Sequence, residues 1–238
     1  MARTRALDYD EKRRALLSVA ARLFAANGFD RTSISEIAGR AHVSKSLLYH
    51  YYPSKSALLY DIVNVHLAYV AEALAEADDP GASPEAHLFG LVRAMLFSYR
   101  EADAPHKVQL NELDKLEPDQ QQALRALERK IVGTMARAVT RLNPALLEKN
   151  EARLLTPVTM SLLGMLNWTY LWLREDGPLG REDYARFATR LFVEGVARLT
   201  VADGPVVQEG SGTERAIALE AEHWPSPASL RERRRKGV

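Results

Sequence analysis

The sequence predicts an all-α protein of about nine helices, in which three N-terminal helices precede a larger helical body. Apolar residues recur three and four positions apart from Leu16 onwards, which is the spacing of one helix face. Turn residues separate these segments at 78–81, 143–144 and 176–178. No segment alternates apolar and polar residues as a half-buried strand does. The pattern therefore favours helices throughout.

Residues 32–55 predict two short helices joined by a tight turn, with a third helix directly after them. Ser33 can cap the first helix, and Glu36 three residues later completes a capping box. Ser44 can cap the second helix, which we expect over 45–52, with Val43, Leu48 and Tyr52 at its inward positions. Two short helices in this order are typical of a helix-turn-helix, whose second helix enters the major groove of DNA.

Hydrogen-bond donors crowd the second helix of this pair, and they are the main functional signal in the sequence. Lys45, Ser46, Tyr49, His50 and Tyr51 follow one another closely. Exposed aromatic side chains in such number are typical of a binding surface. Base edges and phosphates offer acceptors for all of these donors. We therefore interpret this helix as a DNA-recognition helix.

The pattern along the rest of the sequence predicts further helices and divides the chain into three parts. We expect an N-terminal arm with Arg3 and Arg5, which either enters a neighbouring minor groove or stays disordered. The first helix is expected to be capped by Asp8 and Glu11 and to end at Asn27. Further helices are predicted over 54–77, 84–101, 118–142, 151–174 and 181–201, with a short helix after Pro105. The predicted parts are a DNA-binding domain at 1–55, a ligand-binding and dimerisation domain at 56–202, and a flexible basic-ended tail at 203–238.

Charge is unevenly distributed along the 238 residues, whose net charge is +1. Residues 1–55 hold ten basic and five acidic side chains, whereas 203–238 hold six of each. The region between them is therefore acidic. A basic head on an acidic body suits one surface that faces phosphates. The absence of cysteine favours a reducing, cytoplasmic location.

Motifs of the common enzyme classes are absent from the sequence. It has no cysteine, no G-x-S-x-G, no glycine-rich phosphate loop and no H-E-x-x-H, and its six histidines include no i, i+4 pair. We therefore expect no catalytic residue, no metal and no cofactor. Residues 154–173 carry no charge and are long enough to span a membrane, but Pro157 and Asn167 interrupt them. We predict a buried helix there and no membrane partner.

The residues around the turn resemble the TetR family of bacterial regulators. The pattern V-S-K-x-x-L-Y-x-Y-[FY]-x-[ST]-K occupies 43–55, I-A-x-x-A precedes it at 37–41, and N-G-[FY]-x-x-T-[ST]-[IV] occupies 27–34. Two positions depart from the family: His42 replaces the glycine of a turn that needs positive φ, and Leu47 replaces a common threonine. The resemblance implies a homodimeric repressor that binds a palindromic operator and that a small molecule releases.

The resemblance also implies which residues contact DNA. Lys45, Ser46, Tyr49 and His50 would face bases or nearby backbone, and Tyr51 and Lys55 would face phosphates. Thr32 and Ser33 would be helix caps first and phosphate contacts second. The predicted DNA-binding set is Thr32, Ser33, Ser44, Lys45, Ser46, Leu47, Tyr49, His50, Tyr51 and Lys55.

The last two helices carry more apolar residues than one neighbouring helix can cover. The resemblance implies that these helices of two subunits form a four-helix bundle. Gly195 would allow close approach of the helices. The predicted dimer interface consists of Leu162, Met165, Leu166, Leu191, Phe192, Gly195 and Leu199.

The segment GMLNWTYLWLREDGPL at 164–179 resembles a TetR subgroup that responds to acyl-CoA thioesters, including phenylacetyl-CoA and fatty acyl-CoA. An acyl or aromatic group needs an apolar chamber, and the phosphates of CoA need cations. The predicted ligand-binding residues are Phe89, Arg93, Met95, Phe97, Tyr99, His106, Arg125, Trp168 and Trp172. Two alternatives remain open: the same DNA-binding fold without a small-molecule switch, and an enzyme that acts on acyl thioesters.

Overall fold

A computed structural model describes residues 2–147 and 152–199. Within these ranges the chain forms nine α-helices and no strand, which confirms the predicted all-α class. The helices are α1 Ala2–Asn27, α2 Ile34–Arg40, α3 Lys45–Tyr51, α4 Lys55–Ala77, α5 Pro84–Ser98, α6 Asp103–Glu112, α7 Pro118–Leu142, α8 Ala152–Asn167 and α9 Arg181–Val196. Short 3-10 helices lie at Leu113–Lys115, Pro144–Leu147 and Trp168–Leu171.

Serine side chains begin several helices, as the sequence predicts. The hydroxyls of Ser33, Ser44, Ser54 and Ser83 each accept a hydrogen bond of 3.0–3.3 Å from the backbone N–H three residues later. The predicted capping box at α2 forms only in part. The carboxylate of Glu36 accepts from Asn27 Nδ2 at 3.3 Å, so its partner is the end of α1.

Several helix ends differ from the prediction; α5, for example, ends at Ser98 rather than at residue 101. Helix α1 begins at Ala2, because the residues before Asp8 include no glycine or proline and continue the helix; the predicted arm is therefore wrong. Helix α8 stops at Asn167, where Thr169 Oγ1 donates to the carbonyl of Leu166 at 2.6 Å. Helix α9 stops at Val196, and Asn143 Nδ2 donates to the carbonyl of that residue at 3.0 Å.

The uncharged stretch at 154–173 is therefore divided between α8 and a 3-10 helix, and α8 has 16 residues. Among the described helices, α4 alone is long and apolar enough to cross a membrane by length and composition. Of its most apolar window, 56% is buried inside the protein. Burial of that extent is typical of a core helix.

The described helices belong to two compact units. The N-terminal unit contains residues up to Tyr69 together with 101–127, and the C-terminal unit contains 70–100 and the described residues from 128 onwards. Packing of α1 against α6 is a main contact of the first unit, and packing of α5 against α9 is a main contact of the second. Helices α4 and α7 contribute to both units. The predicted functional boundary after residue 55 remains a prediction, and the predicted tail at 203–238 lies outside the described residues.

Candidate nucleic-acid interface

The recognition helix α3 is anchored from its inner side. Leu48 is fully buried, and the capping residue Ser44 fixes the first turn. Tyr52, at the end of the helix, is also buried, as the sequence predicts. These contacts determine which side of the helix faces outwards.

The outer side of α3 carries the predicted donors. Lys45, Ser46, Tyr49 and His50 are exposed, and Leu47 is partly buried. Tyr49 is the most telling of these, because 51% of a large aromatic residue remains in contact with solvent. The exposed set combines an ammonium, two hydroxyls and an imidazole on one short helix. Such a surface can donate hydrogen bonds to base edges and phosphates in a major groove.

The turn between α2 and α3 has the positive φ that the resemblance to the family implies at position 42. His42 has φ of 54°, in the left-handed region that glycine adopts most readily. The N–H of Val43 donates to the carbonyl of Ala38 at 3.0 Å and closes the turn. The chain therefore keeps the tight turn with a histidine at the position where strain is expected.

A shallow surface depression of about 540 Å³ lies beside α3. Arg31, Ser33, Tyr49 and Ser54 are among the residues that border it. It therefore brings a guanidinium and three hydroxyls, together with the carboxylate of Asp30, next to the recognition helix. This arrangement suits the path of a DNA backbone, because most protein–DNA hydrogen bonds go to phosphates and sugars.

Thr32 and Lys55 both make contacts within the N-terminal unit. The side chain of Thr32 is buried, and its hydroxyl donates to the carbonyl of Gly28 at 2.9 Å. The Lys55 ammonium donates to the carbonyls of Phe29 and Thr32 at 2.8 and 3.0 Å, and it lies 4.2 Å from the centre of the Phe29 ring. Both side chains satisfy backbone groups where α1 turns into α2. The buried Thr32 side chain therefore has a structural role, whereas the phosphate contact of the partly exposed Lys55 remains a prediction.

The ring of Tyr51 packs against two neighbouring aromatic rings. Its ring stacks on that of Tyr9 in α1, with the centroids 4.5 Å apart, and the edge of His50 lies against it. The predicted phosphate contact of Tyr51 remains a prediction, since the stacking fixes the ring and leaves the side chain partly exposed.

Sequence analysis missed a polar cluster beneath α3. Tyr52 donates its hydroxyl proton to Asp61 Oδ2 at 2.6 Å, and Arg13 Nη2 donates to the same oxygen at 2.6 Å. Burial, followed by the hydrogen bond to Asp61, raises the pKa of Tyr52. These residues come from α1, the end of α3 and α4. No local pattern links positions so far apart, so the sequence carries no signal for the cluster.

The predicted ligand-binding residues are divided between the two units. His106 and Arg125 belong to the N-terminal unit. His106 is buried, with Nδ1 3.3 Å from Nε2 of His66, and burial and this neighbour lower the pKa of His66 to about 3. Arg125 donates to Gln121 Oε1 at 3.3 Å. The structure therefore gives each of these two residues a partner inside the N-terminal unit.

The other predicted ligand-binding residues lie in the C-terminal unit, in two kinds of position. Met95 and Tyr99 are buried, and the Tyr99 hydroxyl donates to Asn167 Oδ1 at 2.7 Å. Burial raises the pKa of Tyr99. Arg93 donates to Glu182 Oε2 at 2.6 Å and lies 4.7 Å from the centre of the Phe97 ring, so its guanidinium is already paired.

Phe89, Trp168 and Trp172 complete this set of predicted ligand contacts. The guanidinium of Arg186 covers the ring of Phe89, with 5.0 Å between the guanidinium carbon and the ring centre. Trp168 and Trp172 are 58% and 49% exposed. The structure therefore places both tryptophans on the surface of the unit, where an interface with another chain is the more direct interpretation.

The predicted dimer residues also separate into two groups. Leu162, Leu166 and Phe192 are buried within their own unit, so their assignment to the interface is corrected. Leu191 and Gly195 are exposed, and Met165 and Leu199 are partly buried. The sequence analysis missed Leu171 and Phe187, which are 56% and 57% exposed.

Most of the chain matches known protein families. Residues 16–62 match the family described as "Bacterial regulatory proteins, tetR family". Residues 81–196 match "Tetracyclin repressor-like, C-terminal domain". The uncharacterized HTH-type transcriptional regulator YuxN of Bacillus subtilis (strain 168) is 41% identical over 56 residues, which are 24% of this chain and 19% of that protein. The chain thus spans about a fifth of the length of this curated relative.

Solved structures extend the similarity to both units. AibR in complex with isovaleryl coenzyme A and operator DNA is 27% identical, over 76% of this chain and 97% of that chain, with a TM-score of 0.64. PfmR of Thermus thermophilus is 26% identical over 75% and 97%, with a TM-score of 0.65. A TetR-family transcriptional regulator from Bordetella parapertussis 12822 is 32% identical over 79% and 97%, with a TM-score of 0.72. The chain therefore belongs to the TetR family of DNA-binding transcriptional regulators.

Proposed function

We propose that the protein is a homodimeric repressor that leaves a palindromic operator when it binds an acyl-CoA thioester. The observation that carries the effector class is the similarity to AibR, whose solved structure contains both isovaleryl coenzyme A and operator DNA. The similarity covers 76% of this chain at 27% identity, so it extends well beyond the helix-turn-helix. The resemblance of the segment at 164–179 to acyl-CoA-responsive regulators points to the same class.

An exposed apolar face on the C-terminal unit supports the dimer. It consists of Trp168, Leu171, Trp172, Phe187 and Leu191, each 49–58% exposed. The ring of Trp172 meets that of Tyr184 edge-on at 4.9 Å, and the Tyr184 ring lies 6.3 Å from that of Phe187. Monomeric proteins rarely leave a contiguous apolar surface of this kind in water. A second copy of the chain would cover it.

Gly195 supports close approach of two subunits at the end of this face. A Cβ atom placed on Gly195 would meet nothing within 4 Å, so the backbone lies open on the exposed side of α9. Leu191 lies one helical turn before it and is 55% exposed. An isologous contact would therefore bring the α9 backbones near each other while covering Leu191 of both chains.

Two unsatisfied hydroxyls support a ligand inside the C-terminal unit. Thr159 on α8 and Thr189 on α9 are 1% and 3% exposed, and neither hydroxyl has a hydrogen-bond partner among the described residues. A buried polar group without a partner costs about 1–3 kcal/mol. An acyl-CoA carries a thioester carbonyl and two amides that can satisfy such groups. The buried Met95 provides an apolar surface in the same unit.

Release of DNA follows from a shift between two conformations. An effector lowers DNA affinity only if it binds better to the conformation that fits DNA poorly. Helices α4 and α7 each run without interruption from one unit into the other. A change in the C-terminal unit therefore reaches the N-terminal unit through continuous helices. This mechanism requires no catalytic step.

Calorimetry with isovaleryl-CoA, phenylacetyl-CoA and free CoA tests the proposal. We expect micromolar or tighter binding of an acyl-CoA and weaker binding of free CoA. The same acyl-CoA should reduce the affinity for a duplex that the wild-type protein selects from a random library. Thr159→Val should weaken acyl-CoA binding without weakening DNA binding in its absence. Failure of every acyl-CoA to bind, or binding with unchanged DNA affinity, would contradict the effector class and leave DNA recognition intact.

A further inference from the structure

Two neighbouring side chains of α1 contact the end of the recognition helix. Tyr9 and Arg13 are four residues apart in α1, so they lie next to each other on one side of that helix. The ring of Tyr9 stacks on that of Tyr51 in the last turn of α3, with the centroids 4.5 Å apart and 29° between the ring planes. Arg13 Nε donates to the hydroxyl of the next residue, Tyr52, at 3.2 Å. Helix α1 therefore meets α3 through two adjacent pairs of side chains.

The Arg13–Tyr52 pair accounts for the attachment of α3 to its neighbours. Tyr52 is only 4% exposed, and it also donates to Asp61 of α4 at 2.6 Å. Leu48, one turn earlier in α3, is fully buried. These contacts fix the backbone of α3 without a contribution from Tyr9. The stack of Tyr9 on Tyr51 therefore has a different effect, which is to fix the orientation of the Tyr51 ring.

The stacked pair lies at the surface of the N-terminal unit. Tyr9 is 42% exposed, and Tyr51 is partly exposed. Because the pair remains partly in water, stacking removes only part of its apolar surface from solvent, and the gain in stability is correspondingly small. Exposed aromatic rings that adjoin a row of hydrogen-bond donors are typical of a binding surface. The position of the pair thus favours a role in binding.

A third ring continues the stack onto the outer side of α3. The ring of His50 meets that of Tyr51 edge-on, with the centroids 5.8 Å apart and 83° between the planes. His50 itself is exposed. Tyr9, Tyr51 and His50 therefore form a continuous aromatic row from α1 to the outer side of the recognition helix. Tyr51 is the middle member, so its orientation depends on Tyr9 and affects His50.

A side chain that is already fixed in the free protein binds DNA with less loss of entropy. Ordering one side chain on binding corresponds to about a two- to tenfold loss of affinity. Without the ring of Tyr9, the Tyr51 side chain would be able to occupy other staggered rotamers. The cost of ordering it would then fall on the binding step. With Tyr9 present, that cost falls on folding.

We propose that Tyr9 is a positioning residue for DNA recognition, which holds the rings of Tyr51 and His50 in the orientation that contacts DNA. This role rests on the DNA contact proposed for α3, and it extends the recognition surface to the N-terminal part of α1. Tyr9 lies before residues 16–62, the segment that matches the family. The aromatic row therefore adds to the helix-turn-helix a residue from outside that segment.

A double-mutant cycle on Tyr9 and Tyr51 tests this role. Dissociation constants are measured for wild type, Tyr9→Ala, Tyr51→Ala and the double variant, with a duplex that the wild-type protein selects from a random library. Tyr9→Ala should bind this duplex about two- to tenfold more weakly. Because Tyr9 acts through Tyr51, the double variant should bind no more weakly than Tyr51→Ala. Tyr9→Phe, which keeps the ring, should restore the affinity of wild type.

Further measurements separate positioning from folding. Urea unfolding identifies conditions in which every variant is fully folded, so that a change in stability alone cannot lower the affinity for DNA. NMR of the tyrosine rings should show the Tyr51 resonances shifted in Tyr9→Ala and not in Tyr9→Phe. Tyr69→Ala is the matched control, since it removes an equally accessible ring from α4, and it should bind the duplex as wild type does. Tyr9→Leu replaces Tyr9→Ala if the smaller side chain prevents folding.

Any of three results overturns the positioning role. Tyr9→Ala binds the selected duplex as wild type does; the losses of Tyr9→Ala and Tyr51→Ala add in the double variant, which indicates that Tyr9 acts independently of Tyr51; or Tyr9→Phe is as weak as Tyr9→Ala, which indicates that the hydroxyl and not the stack is responsible. Tyr49→Ala, outside the aromatic row, distinguishes this failure from a wider one. If Tyr49→Ala also binds as wild type does, α3 does not read the duplex and both proposals fail.

Discussion

The hydroxyl of Tyr52 and the carboxylate of Asp61 lie 2.6 Å apart, and this hydrogen bond fastens the end of the recognition helix to α4. Arg13 Nη2 donates to the same carboxylate oxygen at 2.6 Å, so α1 joins the contact. Asp61 is only 9% exposed, so the two donors replace hydrogen bonds that water would otherwise provide. The cluster keeps α3 rigid from below while its outer side remains open.

Tyr52→Phe tests this contact. The substitution keeps the buried ring and removes one donor from a buried carboxylate, so we expect the free energy of unfolding to fall by about 1–3 kcal/mol. Urea unfolding measures the change. Tyr49→Phe, which removes an exposed hydroxyl, should leave stability unchanged. Equal stability of Tyr52→Phe and wild type would show that Arg13 alone satisfies Asp61.

The pH dependence of the free energy of unfolding should show the contribution of ionised Asp78, in the C-terminal unit. Burial opposes ionisation of Asp78, but hydrogen bonds from His87 at 2.7 Å and Arg137 at 3.1 Å outweigh it and lower the pKa of the carboxyl. An acid whose pKa is lowered by folding stabilises the fold above its unfolded pKa of about 4, and this contribution is lost as pH falls through the folded value.

Asp78→Asn should therefore reduce the free energy of unfolding at pH 7 and also flatten its decline below about pH 4. Urea unfolding across this range measures both effects. The matched control is Asp176→Asn, because Asp176 is exposed and the substitution removes the same charge. If Asp78→Asn and Asp176→Asn gave the same pH profile, the ion pairs of Asp78 would contribute nothing.

His42→Gly should stabilise the protein. A non-glycine residue in the left-handed region costs about 1–2 kcal/mol, whereas glycine loses about 0.5–1 kcal/mol of extra conformational freedom on folding. The net gain should therefore be about 0–1.5 kcal/mol. Ala41→Gly is the control: Ala41 has φ of −84°, so glycine offers no relief there and should destabilise. A loss of stability in His42→Gly would show that the imidazole makes a compensating contact.

Phe187→Glu should convert the proposed dimer into a monomer. Phe187 is 57% exposed and borders Tyr184 on the apolar face, so a charge there would be buried in the interface. Sedimentation at micromolar concentration measures the change. The matched control is Tyr69→Glu, since Tyr69 on α4 is also 57% exposed but lies outside the apolar face. A wild-type monomer, or equal effects of both variants, would refute this interface.

Local signals in the sequence predicted the fold well. Ser33 and Ser44 cap the helices that the sequence assigns them, because a cap depends on a backbone N–H only three residues away. The inward placement of Leu48 and Tyr52 also followed from helix periodicity. The same reasoning failed at α1, whose first residues continue the helix where an arm was expected.

Contacts between distant parts of the chain could not be predicted from the sequence. The sequence carries no signal for the contact of the Lys55 side chain with the carbonyl of Phe29, 26 residues earlier. Helix α8 is apolar on several sides, so periodicity could not distinguish the side that faces its own unit. Leu162 and Leu166 lie on that buried side, whereas Trp168, in the 3-10 helix that follows α8, is exposed.

Selection of binding sites from a random DNA library tests the central claim most directly. A twofold dimer that reads DNA with α3 should enrich an inverted repeat whose half-site centres are about one helical turn, or a multiple of it, apart. Tyr49→Ala should bind that repeat more weakly by about 1–3 kcal/mol, and Tyr69→Ala, with a similarly exposed ring outside α3, should bind it as wild type does. Enrichment of no inverted repeat, or unchanged binding by Tyr49→Ala, would contradict the account.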